Sequence, residues 1–371
     1  MENNNDNKVL NVPHLRFPEF SGEWKKCKLG DLCNVLMCKR ILVSQTNTED
    51  GVPFYKIGTI GSTPDAYISK ELFDDYKVKY NYPRKGEVMI TCAGTVGKCV
   101  VYDGEDAYFQ DSNIVWIDNP TQYISNGFLF HLLSKVDWRK LNSTTIIRIY
   151  NDDLRNLKMS YPRKEEQQKI SHLLSLLDER IATQNKIIEK LQSLIKGLAA
   201  QLTQSGTPNI RLCDCLECHS STLQENCVSV TGSYPVYGAT GLIGYTNNYA
   251  YNGESILIVK DGSGVGSLSY VNDHFSVIGT LNYLTAKENY SILYLYYALM
   301  AFNFTPYITG MAIPHIYFKD YGKAKLFYPS IEKRIRIASL LHNIEQKLVV
   351  EQNLVISLSA QKSYLLRMLF I

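Results

Sequence analysis

Apolar residues recur at alternating intervals of three and four along two long stretches of the chain. In the first, Ile170, Leu177, Leu191 and Leu198 take heptad position d, and Leu174, Ile181, Ile188, Ile195 and Leu202 take position a. In the second, Ile337, Ile344, Leu358 and Leu365 fall at d, and Leu341, Leu348, Val355 and Leu369 at a. About five heptads at a period of 3.5 predict coiled-coil packing. Each helix of roughly 37–40 residues would be about 55–60 Å long. Pro162 and Pro329 stand just ahead of the patterned stretches, where proline is tolerated at a helix start. One polar residue sits at each central d position, Gln184 and Glu351. These two are expected to share a layer, hydrogen-bond there and fix the register at some cost in stability. A block of about 125 residues separates the helices, which favours antiparallel pairing over parallel. The alternative is two unrelated amphipathic helices, each packed on its own domain. Lys362 interrupts the a positions and is tolerable near an end, where its stem can snorkel.

Outside the helices, short apolar runs alternate with turns. VMITC, KCVVY and NIVWI lie in the first part, and SILIV, SLSYV and LNYLT in the second, separated by Gly, Asn and Asp clusters. Helical patterns cover GFLFHLLSKV and SILYLYYALM. The expectation is an α+β fold with a mixed, mostly antiparallel sheet and flanking helices. The chain also repeats itself at an offset of 167: KMSYPRKEEQQKISHLLSLLDERI (158–181) aligns with KLFYPSIEKRIRIASLLHNIEQKL (325–348). Upstream, KGEVMITCAGTVGKCVVY resembles NGESILIVKDGSGVGSLSY, and PFYKIGTIG resembles PVYGATGLIG. Four segments follow: a globular block at 1–162, a helix at 163–204, a second block at 205–330 and a second helix at 331–371. A pseudo-two-fold internal repeat relates them.

At 371 residues the chain is long for one domain. No run of 18 apolar residues suggests a membrane span, and MENNNDNKVL lacks an apolar signal core, so export is not expected. Nine cysteines, an odd number, fit a reducing cytoplasm better than a disulfide framework. The net charge of +3 is uninformative, but its distribution is not. Residues 1–162 hold 20 basic and 20 acidic side chains, and 205–330 hold 6 and 8. The helices carry the excess, 7 against 5 and 6 against 3. Nonspecific coating of a polyanion would look different.

Candidate chemistry is sparse. Gly94-Thr95-Val96-Gly97-Lys98 and Gly262-Ser263-Gly264-Val265-Gly266 occupy matching places between strands. Thr95, Lys98 and Ser263 are candidate phosphate contacts, with tight hairpin turns as the alternative. Neither loop has the spacing of a nucleotide-binding loop. Cys215-Leu-Glu-Cys218-His219 spells a haem-attachment pattern, and Cys213, Cys215, Cys218 and His219 could ligate zinc. The corresponding stretch of the first copy holds no ligand set, so no metal is expected. No catalytic constellation emerges around the seven His. Tyrosines crowd the loops of the second block, Tyr237 among them, as recognition area or as half-buried sheet residues.

The whole chain resembles the specificity (S) subunit of type I restriction–modification enzymes. PHLRFPEFSGEWKKCKLGDL (13–32) is similar to that family's N-terminal signature, and YPRKEEQQKI (161–170) to the start of its spacer helices. The second copy departs there, with Lys333-Arg334-Ile335 opposite Glu166-Gln167-Gln168. The resemblance implies two target recognition domains, each reading half of a split, asymmetric DNA site. It implies two conserved helices acting as a spacer and as the dock for two methyltransferase (M) subunits, where the Glu166 motif would contact partners. Restriction/translocase (R) subunits would then join. S-adenosylmethionine, ATP and Mg are implied for those partners, since this sequence has no adenine-flipping NPPY/F motif and no translocase motif; no cofactor is implied here. Within that frame, Arg148 and His315 are equivalent readers, and arginine can hold guanine in a bidentate way. Asn113 and Asn151 are candidates for adenine, and Lys56, Lys98, Lys260 and Lys319 for phosphate. About 15 extra residues in KELFDDYKVKYNYPR point to a larger first footprint. The competing readings are a coiled-coil scaffold without DNA readout and a stand-alone DNA-binding protein.

Overall fold

Val88–Thr91 and Ile114–Asp118 are apolar almost throughout, because each is the inner strand of a sheet with a core on both faces. Val88, Ile90, Val115 and Ile117 face one buried cluster, and Met89, Ile114 and Trp116 face another. The period of two therefore sorts residues between two cores and leaves no polar face. In the second block Ile256 and Ile258 divide from Leu257 and Val259 in the same way.

The computed structural model describes residues 10–140 and 148–371; most of the polar start of the chain lies outside them. They divide into two units, Met1–Thr183 with Val355–Ile371, and Gln184–Leu354. The first has a four-stranded sheet ordered Asn34–Leu36, Ile114–Asp118, Val88–Thr91, Cys99–Val101. A second four-stranded sheet is ordered Thr46–Asn47, Tyr67–Ile68, Val52–Tyr55, Tyr108–Phe109, its last pairing parallel. The other unit has one six-stranded sheet, antiparallel except where Tyr234–Gly238 pairs with Leu268–Val277. That parallel pairing follows PVY as the first follows PFY.

Matching backbone bonds repeat in both units. Ile149 N–H donates to Cys92 O at 2.9 Å and Ile316 N–H to Lys260 O at 2.9 Å. Gly97 donates to Thr91 O and Gly266 to Val259 O, both at 2.8 Å. Ser125 caps the helix Asn126–Lys135 as Ser291 caps Ile292–Met300. The fold is α+β, built twice, with two long helices. The extra KELFDDYKVK of the first block is itself a helix, Lys70–Lys79, whose Lys70 and Lys77 pair with Asp106.

The long helices span Lys164–Thr203 and Ile331–Met368, and every apolar a and d residue named above is buried or half-buried. Their pairing is antiparallel. In the first unit Ile170 and Leu174 share a core with Leu365 and Leu369; in the second, Leu198 and Ala199 meet Ile337, Ala338 and Leu341. Gln184 Nε2 donates to Glu351 Oε2, both residues being buried, and Lys347 covers the other carboxylate oxygen. Lys362 does more than snorkel: its ammonium pairs with Asp178 across the two helices.

The polar layer has a thermodynamic signature. Changing both Gln184 and Glu351 to Leu is expected to leave stability unchanged or raise it by up to about 4 kcal/mol. Glu351→Leu alone strands the Gln184 amide and costs about 1–3 kcal/mol. Thermal unfolding of the two variants beside the parent chain checks this, and a double variant weaker than the single one would refute it.

His131, fully buried beside Ser175, gives a pH dependence. Burial, aided by Lys362, holds its pKa at about 4, against an opposing pull from Asp178. Below the unfolded value near 6.5 the unfolded chain takes a proton that the folded one refuses. Stability is therefore present above about pH 6.5 and falls toward pH 4, by up to about 3 kcal/mol. Denaturation midpoints at pH 7 and 5 should differ less in His131→Gln than in the parent chain.

Candidate nucleic-acid interface

Three turns and the segment before the first long helix form one surface of the first unit. Ile57 N–H donates to Gln110 Oε1 at 3.3 Å, and Thr95 Oγ1 donates to Ile57 O at 3.2 Å. Lys98 Nζ donates to Ile60 O at 2.5 Å. Cys92 N–H donates to Asn113 O at 2.7 Å, and Cys92 O accepts from Ile149. Residues 56–61, 94–98, 110–113 and 148–151 are thereby tied together.

In this arrangement the candidate phosphate contacts of the Gly94–Lys98 loop already have partners within the unit. Thr95 and Lys98 spend their side chains on carbonyls of the 57–60 turn. Gly97 has φ +84°, and a Cβ there would fall 2.2 Å from Trp138 Cδ1, so the glycine serves packing and a left-handed turn. Lys56 is likewise paired, with Asp65 Oδ1 at 2.9 Å.

Arg148, Asn151, Ser112 and Tyr150 line an open cleft of about 320 Å³. Arg148 Nη2 donates to Ser112 O at 3.3 Å, and its guanidinium lies 5.9 Å from the Tyr150 ring centre. Asn113, Lys56, Gln110 and Arg40 line a second cleft of about 230 Å³. Arg40 pairs with Asp111 at 3.0 Å while 68% of its side chain stays exposed. Arg40, Gln110 and Ser112 were not anticipated. The basic Lys39-Arg40 pair ahead of an exposed Leu42-Val43 was the available signal; the positive φ of Ser112 had none.

In the second unit Lys260, Ser263, His315 and Lys319 come together. Lys260 O accepts from Ile316, and Gly262 N–H donates to Pro314 O at 2.9 Å. Lys260 has no hydrogen-bond or ion-pair partner for its ammonium among the described residues. Ser263 is exposed, and Lys319 Nζ sits 5.0 Å over the Tyr317 ring. His315 Nδ1 faces Ile313 O at 3.2 Å, so in the neutral ring Nδ1 carries the hydrogen and Nε2 is the acceptor. At equivalent positions Arg148 offers only donors and His315 an acceptor. Tyr237 does not belong to this surface as a free reader: it is half-buried, its ring against Phe275 at 6.4 Å, and burial pushes its phenol pKa up.

The cysteine-rich start of the second block is structural. The buried Cys215 thiol, pushed up to about 12 by desolvation, donates to Arg211 O at 3.4 Å. His219 stacks on Tyr283 and bonds Thr285 Oγ1 at 2.9 Å. Among the described residues no group of three or more His, Cys, Asp or Glu is placed to hold a metal ion. No helix among them is long and apolar enough to cross a membrane.

The Glu-Gln-Gln start of the first helix faces inward, which corrects the expectation that it meets partners. Glu166, 1% exposed, accepts from Arg16 Nε and Nη2 at 2.8 Å each and from Trp24 Nε1 at 3.3 Å. Gln167 accepts from Ser125 N–H and donates to the carbonyls of Tyr123 and Pro162. Only Gln168 is exposed. In the second copy Arg334 donates to the matching carbonyl of Pro329 at 2.6 Å and stacks 4.1 Å over Tyr328. Different residues satisfy one equivalent acceptor.

Comparison with known proteins agrees with this duplication. The chain is 46% identical over 189 residues, 51% of its length, to a Haemophilus influenzae protein named as a type I restriction enzyme specificity subunit, covering 46% of that protein. It is 28% identical over 112 residues to the EcoprrI specificity subunit of Escherichia coli, 30% of this chain and 28% of that one. The chain thus spans about half or less of the length of these curated relatives. The crystal structure of the type I S subunit from M. genitalium superposes with a TM-score of 0.67 at 18% identity, covering 97% of this chain and 99% of that one; at that identity the likeness is one of fold. The model of the type I restriction modification DNA specificity domain matches twice, at residues 21–193 and 210–358. With both of its copies accounted for in this way, the chain belongs to the type I restriction modification DNA specificity family.

Proposed function

We propose that this chain is the DNA-specificity subunit of a type I restriction–modification complex. Each block reads one half of a split, asymmetric site. The paired helices act as the spacer and dock two methyltransferase subunits, which restriction/translocase subunits then join. Methyl transfer to adenine N6, translocation and cleavage, with S-adenosylmethionine, ATP and Mg, belong to those cytoplasmic partners, and this chain is not catalytic. One observation carries the reading: matching backbone frames present Arg148 in one block and His315 in the other, with opposite hydrogen-bonding character. The frames are alike and the readers differ, as two half-sites of different sequence require. Apolar side chains exposed on the helices, among them Leu176, Ile187, Leu194, Ile335, Val350 and Ile356, suit a protein partner.

Co-expression with a methyltransferase subunit, followed by methylome sequencing, is expected to give one bipartite asymmetric motif. Methylation without sequence preference would favour a scaffold. Tight specific binding by the chain alone would favour a stand-alone DNA-binding protein. Arg148→Ala is expected to relax one position of the first half-site, by about 1–3 kcal/mol of discrimination, and leave the second half-site unchanged. Equal weakening on every sequence would assign it to the phosphate backbone instead.

A further inference from the structure

Thr309 and His315 exchange both backbone hydrogen bonds, at 2.9 and 2.8 Å, closing a loop of Gly310, Met311, Ala312, Ile313 and Pro314. Gly310 has φ +89°, and a Cβ there would fall 2.3 Å from Ile313 O and 2.7 Å from His315 Nδ1. The His315 ring faces the Ile313 carbonyl as well. The loop is therefore held in one shape, yet its tip is apolar and bare: Met311 is 106% exposed and Ile313 66%. Tight loops ordinarily carry polar residues, so a bare apolar tip marks a contact surface. Its setting points to DNA. His315 closes the loop, Lys319 stands four residues beyond, and the Lys260 carbonyl is bonded to Ile316. The block from 205 to 330 has only six basic residues against eight acidic, so phosphate attraction contributes little and contacts inside a groove must carry more of the binding.

Resting on the specificity-subunit reading, we propose that the Met311–Ile313 tip enters the major groove of the second half-site and packs on thymine 5-methyl groups. These methyls are the apolar feature displayed there, and methionine's unbranched thioether adapts to them. The offset of 167 puts Thr144 opposite Met311 and Ile146 opposite Ile313, so only the isoleucine of this tip is repeated in the first block's sequence.

The test uses the assembled methyltransferase complex and its sequenced target. Each thymine of the second half-site is replaced in turn by deoxyuridine, which removes only the methyl group, and equilibrium binding is measured. One or two replacements are expected to weaken the parent complex about fourfold each, the worth of one buried methyl. The Met311→Ala/Ile313→Ala variant, unchanged in thermal midpoint because both side chains are exposed, should bind the unmodified duplex at least that much more weakly. It should also be indifferent to deoxyuridine, and Met311→Leu should restore the sensitivity. A half-site without A·T pairs, a parent complex blind to deoxyuridine, or a double variant that keeps the effect overturns the inference while the specificity reading stands. Loss of subunit assembly in the double variant without DNA overturns it in favour of a protein partner. Binding without any site preference overturns both.

Discussion

Phe370→Ala is expected to lower the stability of the first unit by about 3–5 kcal/mol, the cost of deleting a buried phenylalanine and leaving its cavity. Phe370 is 3% exposed, with its ring 4.8 Å from that of the fully buried Phe128. Leu369 beside it is 2% exposed, Leu15 N–H donates to Met368 O at 2.8 Å, and Lys135 Nζ donates to Ile371 O at 3.2 Å. The end of the second long helix is thus core material for the first block, sharing a cluster with Trp24, Leu129 and Leu174. The three tryptophans, Trp24, Trp116 and Trp138, lie in this unit, so denaturation followed by tryptophan fluorescence reports on it alone. Tyr364→Ala, half exposed on the same helix, is the control and should shift the midpoint by no more than about 0.5 kcal/mol. Equal behaviour of the two variants would contradict the packing described.

Glu166→Ala ranks second, at about 3 kcal/mol. It removes the acceptor of two charge-assisted bonds from Arg16 and of the Trp24 indole N–H, at a carboxylate that is 1% exposed. Arg16 keeps the Gly22 and Ser21 carbonyls and is 17% exposed, which holds the loss to the lower end of the range for buried pairs. Glu166→Gln preserves the shape and should lose less. Combining Arg16→Met with Glu166→Leu should recover much of the deficit, because no charge is then left unpaired. A double variant as weak as Glu166→Ala would mean that the pair contributes more than mutual compensation.

Where the sequence was readable, a period made it so. Heptads placed Gln184 opposite Glu351 because a and d residues alone must face the partner helix, and the repeat offset equals the separation of the bonded pair. VMITC and NIVWI announced strands, but their continuous apolar character hid which residue faces which of two cores. Pairings between distant residues left no periodic trace. Arg16 lies 150 positions from Glu166 and Lys362 184 positions from Asp178, so the motif at 166–168 was read as partner-facing and Lys362 as a blemish. The candidate site divided along the same line. Arg148, His315 and their neighbours stand out because the duplication aligns them in place while their identities differ. For Thr95, Lys98 and Tyr237, a glycine-flanked hydroxyl, a lysine and a loop tyrosine gave no sign that local packing also uses their side chains.

The insertion of Leu369 and Phe370 into the first core also bears on the order of biosynthesis. Chains emerge from the ribosome at about 5–20 residues per second, so the interval between completing residue 183 and reaching residue 370 is on the order of 10–40 s. Throughout that time the nascent N-terminal half lacks the side chains that seal it, leaving the Phe128 pocket open to solvent or to a chaperone. Maturation of the first reader is therefore coupled to translation of the distal segment, and a messenger truncated shortly before that point would yield a protein impaired at the end of the molecule made first.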